Sequence, residues 1–104
     1  MKLFILDDAI ADLAEIKENV KKNRTGASYK KFVLDIAQLL KDIQAYPRAG
    51  SVPPEAGDLG LEIRARLVEQ FRVIYEIRED AIWVRMFIST QRDYMSHLMA
   101  RMLR

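Results

Sequence analysis

The chain contains no cysteine and a single histidine, His97. The first absence removes disulfides and thiolate metal sites, and the second removes any site built from several imidazoles. No cofactor and no metal is therefore expected. No run approaches the roughly 20 consecutive apolar residues that a membrane span requires. Only six residues precede the acidic pair Asp7-Asp8, so no signal peptide is expected either. Proline and glycine are scarce outside one stretch: all three prolines (Pro47, Pro53, Pro54) and three of the four glycines fall in residues 47–60. No phosphate loop, nucleophile triad, metal motif or internal repeat is present. What remains is 50% hydrophobic and 31% charged over 104 residues, the balance of an ordered globular chain. It reads as one domain spanning 1–104, expected in the cytoplasm and away from membranes.

The net charge is only +2, but its carriers are segregated. Every lysine lies in the first 41 residues, while residues 59–104 carry arginine alone. Lysine on an amphipathic helix is usually a solvated face. Arginine presents a planar fork that fits phosphates and carboxylates, so a polyanion site is to be sought in the second half.

Hydrophobic spacing supplies the elements. Lys2 to Leu6 predicts a short strand, Asp7 or Asp8 an N-cap, and Ile10, Leu13, Ile16 and Val20 a helix that Gly26 would stop. A second helix from about Ser28 carries the clearest stripe: Tyr29, Phe32, Val33, Ile36, Leu39, Leu40 and Ile43. It stops at Tyr46-Pro47, because the residue before proline avoids helical geometry. The two helices form an antiparallel hairpin. Residues 47–60 are a loop, long beside the usual length of about five residues. The period then becomes alternating. Leu61, Ile63, Ala65 and Leu67 share one strand face, Phe71, Val73, Tyr75 and Ile77 the next, and Ile82, Val84, Met86 and Ile88 the third. A two-residue turn at Glu79-Asp80 pairs Ile77 with Ile82 and Tyr75 with Val84. Arg92 to Leu103 predicts a C-terminal helix with Met95, Leu98, Met99 and Met102 on one side. The expected fold is α+β: a short N-terminal strand, a helix hairpin, a three-stranded antiparallel meander and a short C-terminal helix.

One sheet face should bury itself against the hairpin, and the other should hold the charges. A three-residue loop at Val68-Glu69-Gln70 would set Arg66 opposite Arg72 and Glu62 opposite Glu76, with like charges facing. A register moved by two residues sets Arg64 opposite Glu76 and Glu62 opposite Arg78, and is preferred. It leaves Arg66, Arg72 and Arg85 free beside Trp83 and Phe87, an arginine–aromatic mixture that suits single-stranded nucleic acid. Alternatively, Trp83 and Phe87 pack under the last helix and the arginines reach solvent. His97 reads as a surface residue, and Tyr94 as a rim tyrosine or a proton donor.

Residues 61–78 resemble the signature of the ParE/RelE toxin superfamily of type II toxin–antitoxin systems, the plasmid-stabilisation proteins. Phe71-Arg72-Val73-Ile74-Tyr75 matches its aromatic–Arg–Val–Ile/Leu–Tyr strand. Thr90-Gln91-Arg92-Asp93, with Leu98 and Arg101-Met102-Leu103 beyond, is similar to its Arg-Asp step into a terminal helix. Strand, hairpin and a Pro-x-x-Gly turn (Pro47 to Gly50) complete the likeness.

The resemblance implies a toxin neutralised by a cognate antitoxin, with operator DNA met only through that antitoxin. Its branches differ in target. RelE-like members cleave mRNA on the ribosome, a role for which Arg64, Arg72, Arg85 and Tyr94 would be the catalytic set. ParE-like members inhibit DNA gyrase and need no catalytic residue. Glu62 stands where the nuclease pattern has a basic residue, and a carboxylate opposes a passing phosphate, so the gyrase branch is favoured. Arg66, Arg72, Arg85, Arg92 and Arg101, with the 47–60 loop, are then the target-binding candidates. Met95, Leu98, Met99 and Met102 are the antitoxin-binding ones. A form that only binds its antitoxin remains a third reading.

Overall fold

A computed structural model describes residues 1–103, apart from the side chain of Asp58. The chain runs β1 (Lys2–Ile5), α1 (Asp7–Asn23), α2 (Gly26–Ala45), two 3₁₀ turns (Pro47–Ala49 and Pro54–Leu59), β2 (Glu62–Val68), β3 (Phe71–Arg78), β4 (Ala81–Ser89) and α3 (Tyr94–Met102). The sheet order is β1-β4-β3-β2, with β1 parallel to β4 and the meander antiparallel. Among the described residues no helix is long and apolar enough to cross a membrane.

The helix ends differ from expectation in their chemistry. Leu6 occupies the N-cap of α1 without a side-chain bond, and Asp7 and Asp8 sit inside the first turn, where they face the positive end of the helix dipole. Gly26 does not stop α1. The chain turns at extended Arg24, Thr25 Oγ1 accepts from the Ser28 amide, and Gly26 opens α2. At the other end, α2 stops at Tyr46 before Pro47 as the sequence requires. α3 begins at Tyr94 rather than Arg92, with the Asp93 carboxylate capping Ser96 N–H at 3.3 Å.

Both sheet faces carry a packed layer. On one, Phe32, Ile36, Leu39 and Ile43 of α2 and Ala9 and Val20 of α1 pack on Val73, Tyr75, Ile77, Ile82, Val84 and Phe87. On the other, Leu98 packs with Ile63, Ala65, Ile74, Met86, Ile88 and Ala56, and Tyr94, Met95 and Met102 close over them.

Two registers decide which side chain faces which layer. The β3–β4 turn is Glu79-Asp80, with φ of +53° and +60°, the paired left-handed conformation of a type I′ hairpin. It sets Ile77 opposite Ile82 and Tyr75 opposite Val84, as the sequence predicts. Further along, Ile74 pairs with Met86, so Arg85 is an extra residue in a bulge. The bulge moves Met86 and Ile88 to the α3 face and Phe87 to the hairpin face. The expected unbroken alternation through β4 is thereby corrected. The β2–β3 connection is a two-residue turn, Glu69-Gln70, with Val68 opposite Phe71 and Glu69 at φ +51°. Neither expected register forms: Arg64 lies opposite Tyr75, and Glu62 opposite Ile77. This odd shift sends Glu62, Arg64 and Arg66 to the hairpin face and leaves Arg72, Glu76 and Arg78 on the α3 face.

Candidate functional site

The expected single arginine face is therefore two sites. On the hairpin side, Arg64 donates to Arg48 O at 3.0 Å, to Gly50 O at 2.9 Å and to Glu62 Oε2 at 3.2 Å. Arg48 grips the same carboxylate with Nε and Nη2 at 3.0 and 3.1 Å. Partial desolvation pushes the Glu62 carboxyl up, but the hydrogen bonds from Arg48 and Arg64 outweigh it and hold the group below its ordinary value. The Tyr75 hydroxyl donates to Pro47 O, and burial raises its pKa against the pull of Arg66 and Arg64. Ser51 exchanges both backbone hydrogen bonds with Ala65. A Cβ at Gly50 would stand 2.5 Å from the Tyr75 hydroxyl, which is why the Pro-x-x-Gly turn ends in glycine. Glu62 and Arg64 thus fasten a turn to the sheet edge. Arg66 makes no hydrogen bond or ion pair with a described residue; it borders a groove of about 350 Å³ with Asp35, Gln38 and Asp42 of α2.

On the other face the arginines are engaged internally. Arg85 donates twice to Glu76 Oε1, at 2.9 and 2.6 Å, and Glu76 is only 2% exposed. Arg72 donates to Thr90 O at 3.3 Å and lies over the Tyr94 ring, 5.0 Å from its centroid. Burial raises the Tyr94 hydroxyl, Arg72 opposes that, and Glu55 and Asp93 add to it, so the phenol stays protonated. Arg101 reaches from α3 to α1. It holds Asp12 through two nitrogens, at 2.8 and 2.5 Å, and donates to Arg85 O at 3.0 Å. Asp12 also accepts from Phe87 N–H at 3.1 Å, which satisfies the β4 edge where β1 has ended. Arg92 is exposed, with Nη2 3.3 Å from His97 Nε2; arginine only donates, so that nitrogen is the acceptor.

Trp83 and Phe87 do not sit together. Phe87 is core on the hairpin side, whereas Trp83 stacks on Phe4 of β1 at 4.7 Å with the Arg78 guanidinium 5.1 Å from its ring. The expected arginine–aromatic groove is absent from the described residues. The methionine stripe is also largely internal: Leu98 is fully buried, and Met95 and Met102 pack in the second core, leaving Met99 outside it. Among the described residues no group of three His, Cys, Asp or Glu side chains could hold a metal.

Sequence reasoning missed Asp12 and Phe4 and gave Glu76 a different partner. Asp12 reads as a polar position on an amphipathic helix, and its partner is 89 residues away. Glu76 is expected opposite Arg64; the one-residue slip of the β2–β3 register turns Arg64 to the other face, and Arg85 pairs with Glu76 instead.

The fold has a solved counterpart. A chain described as belonging to the chromosomal ParDE toxin–antitoxin system from P. aeruginosa superposes with a TM-score of 0.69 at 21% identity, over 86% of this chain and 95% of that one. No curated protein matches the sequence. The family model described as the ParE toxin of the type II toxin–antitoxin system parDE matches residues 3–94. The span runs from β1 through the meander into the first residue of α3, and on it the chain belongs to the ParE toxin family of type II toxin–antitoxin systems.

Proposed function

We propose that this ParE-family toxin arrests growth by binding and inhibiting DNA gyrase in the cytoplasm, and that a cognate antitoxin relieves it. The observation that carries the choice of target is the internal engagement of Arg64, Arg72, Arg85 and Arg101. A ribonuclease needs cations free to hold a scissile phosphate and a group poised to move protons. Here the guanidiniums are committed to Glu62, Glu76, Asp12 and backbone carbonyls. A toxin that acts by binding a protein needs neither. No cofactor enters this mechanism, and operator DNA is met only through the antitoxin.

We propose that the antitoxin segment enters the groove of about 180 Å³ between α1 and the β4 edge, where the half-buried Ile16 and Phe71 offer apolar contact and Glu15 and Arg92 offer charge. This replaces the Met95–Met102 stripe, because a fully buried Leu98 cannot serve as a free surface.

Purified toxin is expected to block gyrase supercoiling and to leave ribosome-bound mRNA intact, and co-expression with the antitoxin, whose gene is expected to neighbour the toxin's, is expected to restore growth. The RelE-like alternative draws support from the Arg72–Tyr94 contact alone. Cleavage of mRNA in the ribosomal A site, lost in Arg72→Ala with the fold preserved, would establish it instead.

A further inference from the structure

α3 covers only part of its sheet face. Ile74, Met86 and Ile88 lie beneath it, but Phe4, Trp83 and Arg78 belong to neither core cluster. They form one row across three strands. Trp83 on central β4 takes the Phe4 ring from β1 on one flank and the Arg78 guanidinium from β3 on the other. The indole Nε1–H is spent on Arg78 O at 3.3 Å, which fixes the ring in place. Yet the row is open to solvent at both ends: Phe4 is 43% exposed, Met1 three residues before it 40%, Lys2 and Arg78 are exposed, and Trp83 between them is half-buried. Among the described residues neither Lys2 nor Arg78 has an ion pair. By strand alternation this face carries Lys2, Arg72, Arg78 and Arg85 against the single carboxylate of Glu76. Glu76 is already taken by Arg85.

We propose that the Phe4–Trp83–Arg78 row is the surface with which the toxin grips its target, and that it fits an acidic protein surface bearing an apolar side chain. This rests on the reading of the chain as a protein-binding toxin. Rigid aromatics and arginine are the residues that dominate protein interfaces, and here they are ordered before binding, which lowers the entropy lost on association. Lys2 and Arg78, exposed and without an ion pair among the described residues, favour a carboxylate-rich partner and steer its approach. A nucleic acid fits less well. Base recognition on such a face needs a free ring to stack on, and both flanks of Trp83 are occupied. The row also lies apart from the α1–β4 groove, so target and antitoxin would occupy different surfaces.

The test uses the full chain. Arg78→Glu reverses the charge at an exposed position, and Phe4→Ala removes the outer ring; thermal melts report whether β1 stays in place. For each variant, growth arrest on expression, gyrase supercoiling and co-purification with the neighbouring gene's product are measured. Both variants are expected to need at least about tenfold more protein for inhibition, with antitoxin capture unchanged and Arg78→Lys close to wild type. If the wild type arrests growth without affecting gyrase, the proposed target fails while the row is still judged by growth. Full arrest by both folded variants would overturn the assignment. So would loss of antitoxin capture with arrest retained, loss of an mRNA cleavage that the wild type shows, or a wild type that arrests nothing.

Discussion

On the hairpin face, helices of 17 and 20 residues lay an aliphatic and aromatic stripe on the sheet. On the opposite face a helix of nine residues does the covering, and guanidinium bonds do much of the holding. The difference follows from length. About two and a half turns of helix at 3.6 residues per turn offer few apolar positions, and in α3 only Leu98 is fully buried. Bonds to charged groups tie down what apolar area cannot. The hairpin face is therefore where stability is concentrated. The α3 face is where order depends on particular polar partners, and where part of the sheet is left open.

The sharpest break of that contrast is Phe32→Ala. Phe32 is fully buried, packs 5.5 Å from the Phe71 ring and has the Arg24 guanidinium 5.1 Å above it. Its loss is expected to cost about 3–5 kcal/mol, a large share of the ~5–15 kcal/mol that holds a domain together. Urea denaturation measures it, and a cost under about 1 kcal/mol would show that the hairpin is not the main source of stability.

The second break is on the other face. Glu76→Ala leaves the Arg85 guanidinium without its counter-ion under α3 and is expected to cost about 2–3 kcal/mol, discounted because Arg85 keeps some solvent access. The double replacement Glu76→Leu with Arg85→Met should return stability to within about 1 kcal/mol of wild type, since a matched apolar pair removes both desolvation penalties. Failure of that rescue would mean that the bulge at Arg85, rather than the ion pair, sets the local structure.

A smaller effect separates α3 from the rest. Arg101→Ala removes the bonds to Asp12 and to Arg85 O, an expected loss of about 1–2 kcal/mol. Hydrogen exchange should show the α3 amides losing protection while β3 and the hairpin keep theirs. Equal loss everywhere would make the two faces one cooperative unit.

These contrasts also explain what was legible in the sequence. The hairpin was, because Phe32, Ile36, Leu39 and Ile43 repeat at helical spacing and nothing interrupts them. The β3–β4 register was, because Glu79-Asp80 leaves only one arrangement that matches the apolar faces. The β2–β3 register was not. Charge pairing across the strands stabilises by only about 0.2–1 kcal/mol per pair, while the two-residue turn and burial of Val68 with Phe71 and Val73 decide the register. The arginine site failed for the same reason: a one-residue slip exchanges every side chain between faces. A bulge then did so again within β4.

The smallest effect belongs to Glu62, where the comparison can be sharpened by pH. Its carboxyl is pushed up by partial desolvation, but the bonds from Arg48 and Arg64 prevail and its folded pKa lies below the ordinary glutamate value of about 4.3. A depressed folded pKa means that the unfolded chain binds the proton more readily. The stabilisation is then fully present above the unfolded value, and it fades as pH falls through the lower folded one. Glu62→Gln should remove that component, so the gap in stability between wild type and variant should be widest near neutral pH and shrink below about pH 4. Glu62 is about one-third exposed and its partner Arg48 more so, which keeps the gap small and sensitive to salt. The readout that identifies the cause is local. In the variant, the Ser51 and Ala65 amides should exchange faster, because Arg64 and Arg48 lose the carboxylate that aligns them over the Pro47–Gly50 turn. A gap that does not change with pH, or one that appears in α3 rather than at this turn, would show that Glu62 does not fasten the loop to the sheet.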